Sequence, residues 1–126
     1  MTALKLKLLD ISLSIHRFNE SKEVPPEVFR SSFFNISKMD EELSVVCPSL
    51  LELDSEHCNT DWICIKVIGP LNFNLTGVLA KLSGILAEAQ ISIFALSTYD
   101  TDYILVKSVK AKEAAAALEA AGYKFT

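Results

Sequence analysis

Residues that could hold the charges of a small molecule are concentrated in two short segments of the second half of the chain. The segment Thr76-Gly77-Val78 precedes a helical pattern of apolar residues. Free backbone N–H groups and the dipole at a helix start attract an anion, and Gly77 lets a ligand approach the backbone. The second segment is a predicted hairpin, Thr98-Tyr99-Asp100-Thr101-Asp102. The carboxylate of Asp102, carbonyl oxygens and a threonine hydroxyl can accept hydrogen bonds from a cation there.

The same residues also have ordinary structural roles, and both interpretations stay open. Asn74, Thr76 and Gly77 are typical of a helix start, and Asp100 and Asp102 are typical of a turn. Two acids at positions i and i+2 could suggest Ca²⁺, but the sequence lacks the glycine and the distal glutamate of an EF-hand loop. We therefore expect no metal site.

Nucleophilic chemistry is not expected from the cysteines and histidines. The pair His57-Cys58 falls in a polar segment where nothing nearby orients the imidazole, so we interpret it as a surface pair. Cys47 and Cys64 lie in predicted strands and should behave as small hydrophobes. His16 is predicted to be solvated on a polar face. The sequence thus predicts no catalytic residues.

The second half of the chain changes its hydrophobic period in the order strand, helix, strand, strand, helix, strand. The corresponding segments are residues 62–68, 78–89, 91–96, 103–107, 110–121 and 123–126. Gly122 is expected in the C′ position of the second helix. Gly84 lies inside the first helix, where glycine costs about 1 kcal/mol relative to alanine, and we expect its backbone to approach the sheet closely. This order is the split βαβ of a ferredoxin-like fold.

The first half repeats this order less completely. Residues 4–9 and 11–18 alternate like strands, and Pro26 can start a short helix that continues to Arg30. Residues 33–38 and 43–47 are expected to form a hairpin. Residues 55–60 are polar and without periodicity, and are interpreted as a linker. The sequence therefore predicts two domains, a degenerate βαββαβ unit over 1–58 and a complete unit over 59–126.

Three segments carry a resemblance to a known family. The run from Gly69 to Leu79 and the run from Ala95 to Val106 resemble the paired-ACT family, which includes the cytosolic arginine sensor and is related to the regulatory domains of aspartate kinases. The segment from Glu42 to Cys47 resembles the matching signature of the first ACT unit. The resemblance covers nearly the whole chain, and the second-half motif is the more specific of the two.

The resemblance implies an α+β fold of two ferredoxin-like ACT units whose antiparallel sheets join edge to edge. It also implies a non-catalytic regulatory protein that binds an amino acid, with Ser44 and Val45 closing the pocket through backbone groups and Asn72 and Asn74 adding polar contacts. The arginine sensor carries four ACT units and this chain has room for two, so a homodimer could supply the missing pair. Arginine itself is not implied. The candidate ligand residues are Ser44, Val45, Asn72, Asn74, Thr76, Gly77, Val78, Thr98, Tyr99 and Asp102.

Composition narrows the possible partners and location. The chain has 126 residues, half of them hydrophobic, with 16 acidic and 12 basic residues and a formal net charge of −4. The basic residues do not cluster, so nucleic acid is not an expected partner. The alternating N-terminus is unlike a secretory signal, and the apolar stretches are too short to cross a membrane, so a cytoplasmic location is expected. Gly69-Pro70-Leu71 lacks the further glycines of a phosphate loop, and we expect no cofactor.

Three functions remain to be compared. The first is an allosteric, amino-acid-binding module, acting alone or as the regulatory subunit of an amino-acid metabolic enzyme or on a signalling partner. The second is a ligand-independent assembly module, since a free strand edge is a template for association. The third is a small enzyme that uses a cysteine or the pair Asp100 and Asp102, which would need a base with an orienting partner.

Overall fold

The computed structural model describes residues 4–68 and 77–126. These residues form an α+β fold, the class that the sequence predicts, with eight strands, three α-helices and one short 3₁₀-helix. In chain order the elements are β1 (Lys5–Leu8), β2 (Leu13–Phe18), α1 (Pro26–Phe29), β3 (Asn35–Lys38), β4 (Leu43–Pro48), β5 (His57–Val67), α2 (Val78–Glu88), β6 (Ile93–Ser97), β7 (Asp102–Lys107), the 3₁₀-helix Ser108–Lys110, α3 (Ala111–Ala120) and β8 (Lys124–Phe125).

The chain divides into two compact units. The larger unit comprises Met1–Asp10 and Ile63–Thr126, and the smaller unit comprises Ile11–Trp62. The strand β5 therefore contributes residues 57–62 to the smaller unit and residues 63–67 to the larger one. The predicted boundary between residues 58 and 59, and the predicted joining of two sheets edge to edge, stay predictions.

The larger unit has the βαββαβ order that its hydrophobic periods predict. Its strands are arranged in the order β6-β7-β5-β1-β8, with β6 and β7 antiparallel, β1 and β5 antiparallel, and β1 and β8 parallel. The strand β1 is an addition to this order, since it lies between β5 and β8. The alternation of residues 4–9 predicts a strand, but alternation does not show with which strand it pairs.

An apolar core fills the space between this sheet and the helices α2 and α3. Its buried side chains come from β1, β5, β7, both helices and the segment between α2 and β6, and they are Leu6, Ile65, Val67, Leu82, Leu86, Ile91, Ile104, Val106, Ala114 and Leu118. In α2, Leu82 and Leu86 are four positions apart, and in α3 Ala114 and Leu118 have the same spacing. This spacing places each pair on one face of its helix.

The two long helices end in similar ways. Gly122 follows α3 with a φ of 102°, and the N–H of Tyr123 donates to the carbonyl of Leu118 over 3.1 Å. This is the C′ glycine that the sequence predicts. Gln90 follows α2 with a φ of 60°, and the N–H of Ile91 donates to the carbonyl of Leu86 over 2.9 Å.

The expectation for Gly84 is wrong. This residue is exposed, and a Cβ added to it would meet nothing within 4 Å. The helix α2 turns its leucines, not its glycine, towards the sheet. Close approach of the backbone therefore does not explain the glycine.

The smaller unit has the strand order β3-β4-β2-β5, all antiparallel. Its core consists of Phe18, Val28, Leu43, Val45 and Cys47, with Val24, Ile36, Leu51 and Leu53 packed against it. Pro26 begins α1, as predicted.

The linker predicted at residues 55–60 is mostly strand, which is a correction. The strand β5 begins at His57, and its residues 57–61 are exposed. The register between β2 and β5 shifts between Leu13 and Ile15, and Asp61 there has a φ of 66°. A strand paired through its backbone needs no apolar side chains, and an extra residue in one strand makes a β-bulge. The polar composition of this segment therefore hid the strand.

His16 is also placed differently from the expectation. Only 3% of its surface is exposed, and its Nδ1 lies 2.9 Å from the Ser55 hydroxyl. Cys47 and Cys64 are buried in strands, as predicted. Burial raises the pKa of Cys47 to about 11 and that of Cys64 to about 12.

Candidate functional site

The β6–β7 hairpin is closed by hydrogen bonds among its own residues. Ser97 and Asp102 face each other across the two strands. The N–H of Thr98 donates to the carbonyl of Thr101 over 2.8 Å, and the Thr98 hydroxyl donates to the same carbonyl over 3.1 Å. Hydrogen bonds within the connection thus pair its own backbone groups, and they hold Thr98, Tyr99 and Asp102 in one short segment.

Thr101 anchors this hairpin to the end of β5. Its side chain is buried, with 4% of its surface exposed, and its hydroxyl donates to the carbonyl of Val67 over 2.7 Å. Val67 is the last residue of β5, and the connection from β5 to α2 leaves from this point. The hairpin therefore lies beside the end of β5.

The start of α2 supplies backbone donors, and no side chain of the described residues caps it. Gly77 occupies the N-cap position with a φ of 80°, and its carbonyl accepts a hydrogen bond from the N–H of Lys81 over 2.9 Å. The first N–H groups of a helix have no partner within the helix, and the dipole there favours an anion. Val78, the first helical residue, is half-buried and packs against the core of the larger unit.

Glycine at position 77 has a backbone reason. A φ of 80° lies in the left-handed region that residues with a side chain rarely adopt, and no atom of the described residues lies within 4 Å of the position that a Cβ would occupy. Of the three residues that the sequence predicts at the helix start, Gly77 occupies the N-cap position. Asn72, Asn74 and Thr76 themselves lie outside the described residues.

The side chain of Asp102 is half-buried and is held by a hydrogen bond across the hairpin. Its Oδ1 accepts a hydrogen bond from the Ser97 hydroxyl over 2.7 Å, which fixes the carboxylate across the two strands. The neighbouring Tyr99 is 81% exposed at the tip of the hairpin. An oriented carboxylate beside carbonyl oxygens can accept hydrogen bonds from an ammonium or guanidinium group.

Ser44 and Val45 lie in the smaller unit, in β4. Ser44 pairs with Arg17 on one side and with Ser37 on the other, and its hydroxyl donates to Glu42 Oε1 over 2.7 Å. Val45 is fully buried in the core of that unit. The backbone of both residues faces neighbouring strands, and their contribution to a ligand pocket stays a prediction.

The positioning role of Thr101 is not evident from the sequence. Between two aspartates, a threonine is typical of a turn, and the pattern gives no signal that its hydroxyl is buried. The interpretation of His57-Cys58 as a surface pair is confirmed, since both residues are exposed. Over residues 4–68 and 77–126, the structure contains no group of three or more His, Cys, Asp or Glu side chains arranged to hold a metal ion. No helix in these ranges is long and apolar enough to span a membrane.

Comparison with known families gives two matches along the chain. A family model described as the ACT domain matches residues 57–120, slightly more than half of the sequence. A second model, described as an N-terminal domain, matches residues 12–49. The first match begins at the first residue of β5 and ends at the last residue of α3.

Among curated proteins, the chain is similar to two proteins named cytosolic arginine sensor for mTORC1 subunit 1. It is 31% identical over 116 residues to the one from Pongo abelii and 30% identical to the one from Homo sapiens. Each alignment covers 84% of this chain and 35% of the relative. The chain thus spans about a third of the length of these relatives.

Three solved structures share the fold. A protein from Agobacterium tumefaciens superposes with a TM-score of 0.90 and 32% identity, covering 100% of this chain and 94% of that one. A structure of aspartokinase alpha and beta subunits gives a TM-score of 0.66 at 13% identity, covering 95% and 98%. Aspartokinase III of E. coli, solved with aspartate and ADP, gives 0.63 at 15% identity, covering 94% of this chain and 32% of the enzyme.

Proposed function

The chain belongs to the ACT domain family, and from this premise we propose that it is a non-catalytic regulatory protein that binds an amino acid. The observation that carries the proposal is the hydrogen bond from Thr101 to the carbonyl of Val67, which holds the β6–β7 hairpin beside the end of β5. The ligand site proposed here lies between this hairpin and the start of α2, within the larger unit.

The chemistry of an α-amino acid matches these two segments. The ligand presents a carboxylate and an ammonium group a few atoms apart, so its site needs anion donors and cation acceptors close together. The N–H groups after Gly77 supply donors under a favourable helix dipole. Asp102, already oriented by Ser97, supplies the acceptor for the ammonium group or for a cationic side chain.

The relatives support the ligand class without deciding which amino acid is bound. The curated relatives are named as arginine sensors, and the E. coli aspartokinase III structure contains aspartate. Gly77, Val78, Thr98, Tyr99 and Asp102 are the described residues that we propose for the site. We also extend to this chain the cytosolic location that the relatives' name states, and action on a regulated enzyme or signalling partner.

A thermal-shift screen over the proteinogenic amino acids tests the proposal. A ligand that binds only the native state raises the melting temperature by mass action, so one or more amino acids should do so at millimolar concentrations. Asp102→Asn keeps an oxygen for Ser97 and removes the charge. This variant should bind an amino acid that raises the melting temperature about tenfold more weakly, because a charge-assisted hydrogen bond is lost.

Asp100→Asn is the matched control for this variant, because Asp100 is an exposed aspartate in the same turn. With the same ligand, Asp100→Asn should show the same increase in melting temperature as the wild type. A screen without any responding amino acid would contradict the proposal. Equal affinities of the wild type and Asp102→Asn would remove Asp102 from the site while leaving the binding activity in place.

A second function, assembly without a ligand, is favoured by one observation. Among the described strands of the larger unit, β6 pairs with β7 alone, and an edge strand can pair with a second copy of the chain. Closed twofold dimers are the commonest outcome of such pairing. Light scattering during titration with amino acids separates the two functions, since a dimer that no amino acid affects supports assembly alone.

A further inference from the structure

Three side chains of the smaller unit form a hydrogen-bonded series that the proposed ligand site does not use. We call them the thiol cluster: Ser55, His16 and Cys58. His16 Nδ1 lies 2.9 Å from the Ser55 hydroxyl, and His16 Nε2 lies 3.9 Å from the sulfur of Cys58, within hydrogen-bonding distance for a thiol. The imidazole therefore contacts an orienting hydroxyl through one nitrogen and a thiol through the other.

The backbone fixes this arrangement. His16 in β2 and Cys58 in β5 are directly paired across antiparallel strands, so their side chains leave the sheet on the same face. The ring of His16 also stacks against Phe18, two residues further along β2, with 6.1 Å between centroids. The position of the imidazole is thus set by the sheet, by a ring contact and by a hydrogen bond.

The imidazole and the thiol of the cluster differ in their access to solvent. His16 is buried, with 3% of its surface exposed, whereas Cys58 is exposed. Burial lowers the pKa of His16 below its ordinary value of 6.5, so the imidazole is neutral at neutral pH. A neutral imidazole that donates from Nδ1 to Ser55 has Nε2 as its acceptor, and this nitrogen faces the thiol.

We propose that Cys58 is an oxidation site for small peroxides, at which His16 Nε2 accepts the thiol proton. The sulfur forms a bond to one oxygen of hydrogen peroxide as the O–O bond breaks. The thiol proton passes to His16 and then to the departing hydroxide, which leaves as water. The thiol is oxidised to a sulfenic acid, and the peroxide is reduced.

The other two cysteines are suitable internal controls. Cys47 and Cys64 are buried, and burial raises their pKa values to about 11 and about 12. The thiolate is the reactive form of cysteine, so these two thiols should stay unmodified in the folded protein. Selective reaction of one of three cysteines can then be followed by mass spectrometry.

The test is the rate of sulfenic acid formation with hydrogen peroxide, trapped with dimedone and measured on the intact protein. A synthetic peptide of residues 55–61 contains Cys58 and His57 but lacks His16. The folded protein should react about tenfold faster than this peptide, less than the roughly 10²–10⁴-fold of a full general-base contribution, because the 3.9 Å between the sulfur and His16 Nε2 is long for a hydrogen bond. All of the label should lie on Cys58, and Cys58→Ser should abolish it.

Two variants assign the effect to the cluster. His16→Gln retains a polar side chain but accepts no proton, and should react at the rate of the peptide. Ser55→Ala should give an intermediate rate, because it removes the group that orients the imidazole. His57→Gln is the matched control and should react like the wild type. Circular dichroism checks that each variant is folded.

A wild-type rate equal to that of the peptide would overturn the proposal. So would an undiminished rate in a folded His16→Gln protein. If His16→Gln does not fold, the comparison of wild type with peptide and the rate of Ser55→Ala decide the question. These outcomes are independent of amino-acid binding by the larger unit.

Discussion

The larger and the smaller unit close their apolar cores in different ways. In the larger unit, two helices of 11 and 10 residues cover the sheet and supply buried aliphatic side chains. The smaller unit has a helix of four residues, and Leu51 and Leu53 add half-buried side chains to its core. Its buried polar residues, Ser14 and His16, bond to Ser49 and Ser55. In the smaller unit, little of the sheet is thus covered by helix. A loop covers part of it instead and forms hydrogen bonds with the buried polar side chains.

The largest expected effect is a loss of stability when a side chain is removed from one of the two cores. Leu86→Ala removes a fully buried side chain of α2 and should lower the free energy of unfolding by about 2–5 kcal/mol. Leu53→Ala removes a half-buried side chain from a loop of the smaller unit and should lower the free energy of unfolding by less. Chemical denaturation measures both changes. Equal losses would show that the loop covers its core as completely as a helix does.

The next effect concerns the buried hydroxyl of the larger unit. Thr101→Val removes the donor to the Val67 carbonyl and should cost about 1–3 kcal/mol, because a buried acceptor loses its partner. Thr101→Ser retains the hydroxyl and is the matched control. If valine is tolerated as well as serine in denaturation experiments, this hydrogen bond does not hold the hairpin.

A third effect of about 1 kcal/mol should have the opposite sign. Gly84→Ala places a better helix former at an exposed position where nothing obstructs a Cβ, so it should stabilise the larger unit. Gly77→Ala is the comparison, since its φ of 80° disfavours a side chain and the substitution should destabilise. Thermal melts of both variants measure the difference. A destabilised Gly84→Ala protein would show that the glycine has a role beyond the helix.

The smallest expected effect is the pH dependence of stability that His16 of the smaller unit contributes. Burial lowers the pKa of His16, so below the ordinary value of 6.5 the unfolded chain binds the proton more readily than the folded chain. Stability should be constant above this pH and decrease as the pH falls below it. Melting temperatures from about pH 7.5 down to about pH 5.5 should show this decrease, within the range where histidine titrates.

His16→Gln should flatten that decrease, while His57→Gln, at the surface, should preserve it. A decrease that persists unchanged in His16→Gln would assign the pH dependence to other groups.

Much of the larger unit follows from its residues. The change from period 2 to the helical period locates β5, α2, the hairpin and α3, and Gly122 marks the end of α3. The smaller unit is harder to derive, because polar residues in its strands serve backbone pairing instead of a core. The polar residues 55–60 are therefore interpreted from the sequence as a linker, although most of them lie in β5. The burial of His16 depends on a loop that approaches it from elsewhere in the sequence.

The candidate site shows the same limit. Its helix start and its acidic hairpin can be identified from the types of residue alone. What the sequence does not show is that a buried hydroxyl holds the hairpin to the end of β5, since Thr101 is an ordinary turn residue in the pattern. Tertiary contacts such as the one between Thr101 and Val67 join positions 34 residues apart and leave no local signal.

The most direct measurement of the central claim is a ¹H–¹⁵N chemical-shift titration with an amino acid that raises the melting temperature. As the amino acid is added, the amide signals of Gly77 to Ala80 and of Thr98 to Asp102 should shift together in one saturable process. Saturable shifts confined to other segments, such as the β3–β4 turn at Met39 to Glu42, would contradict this claim.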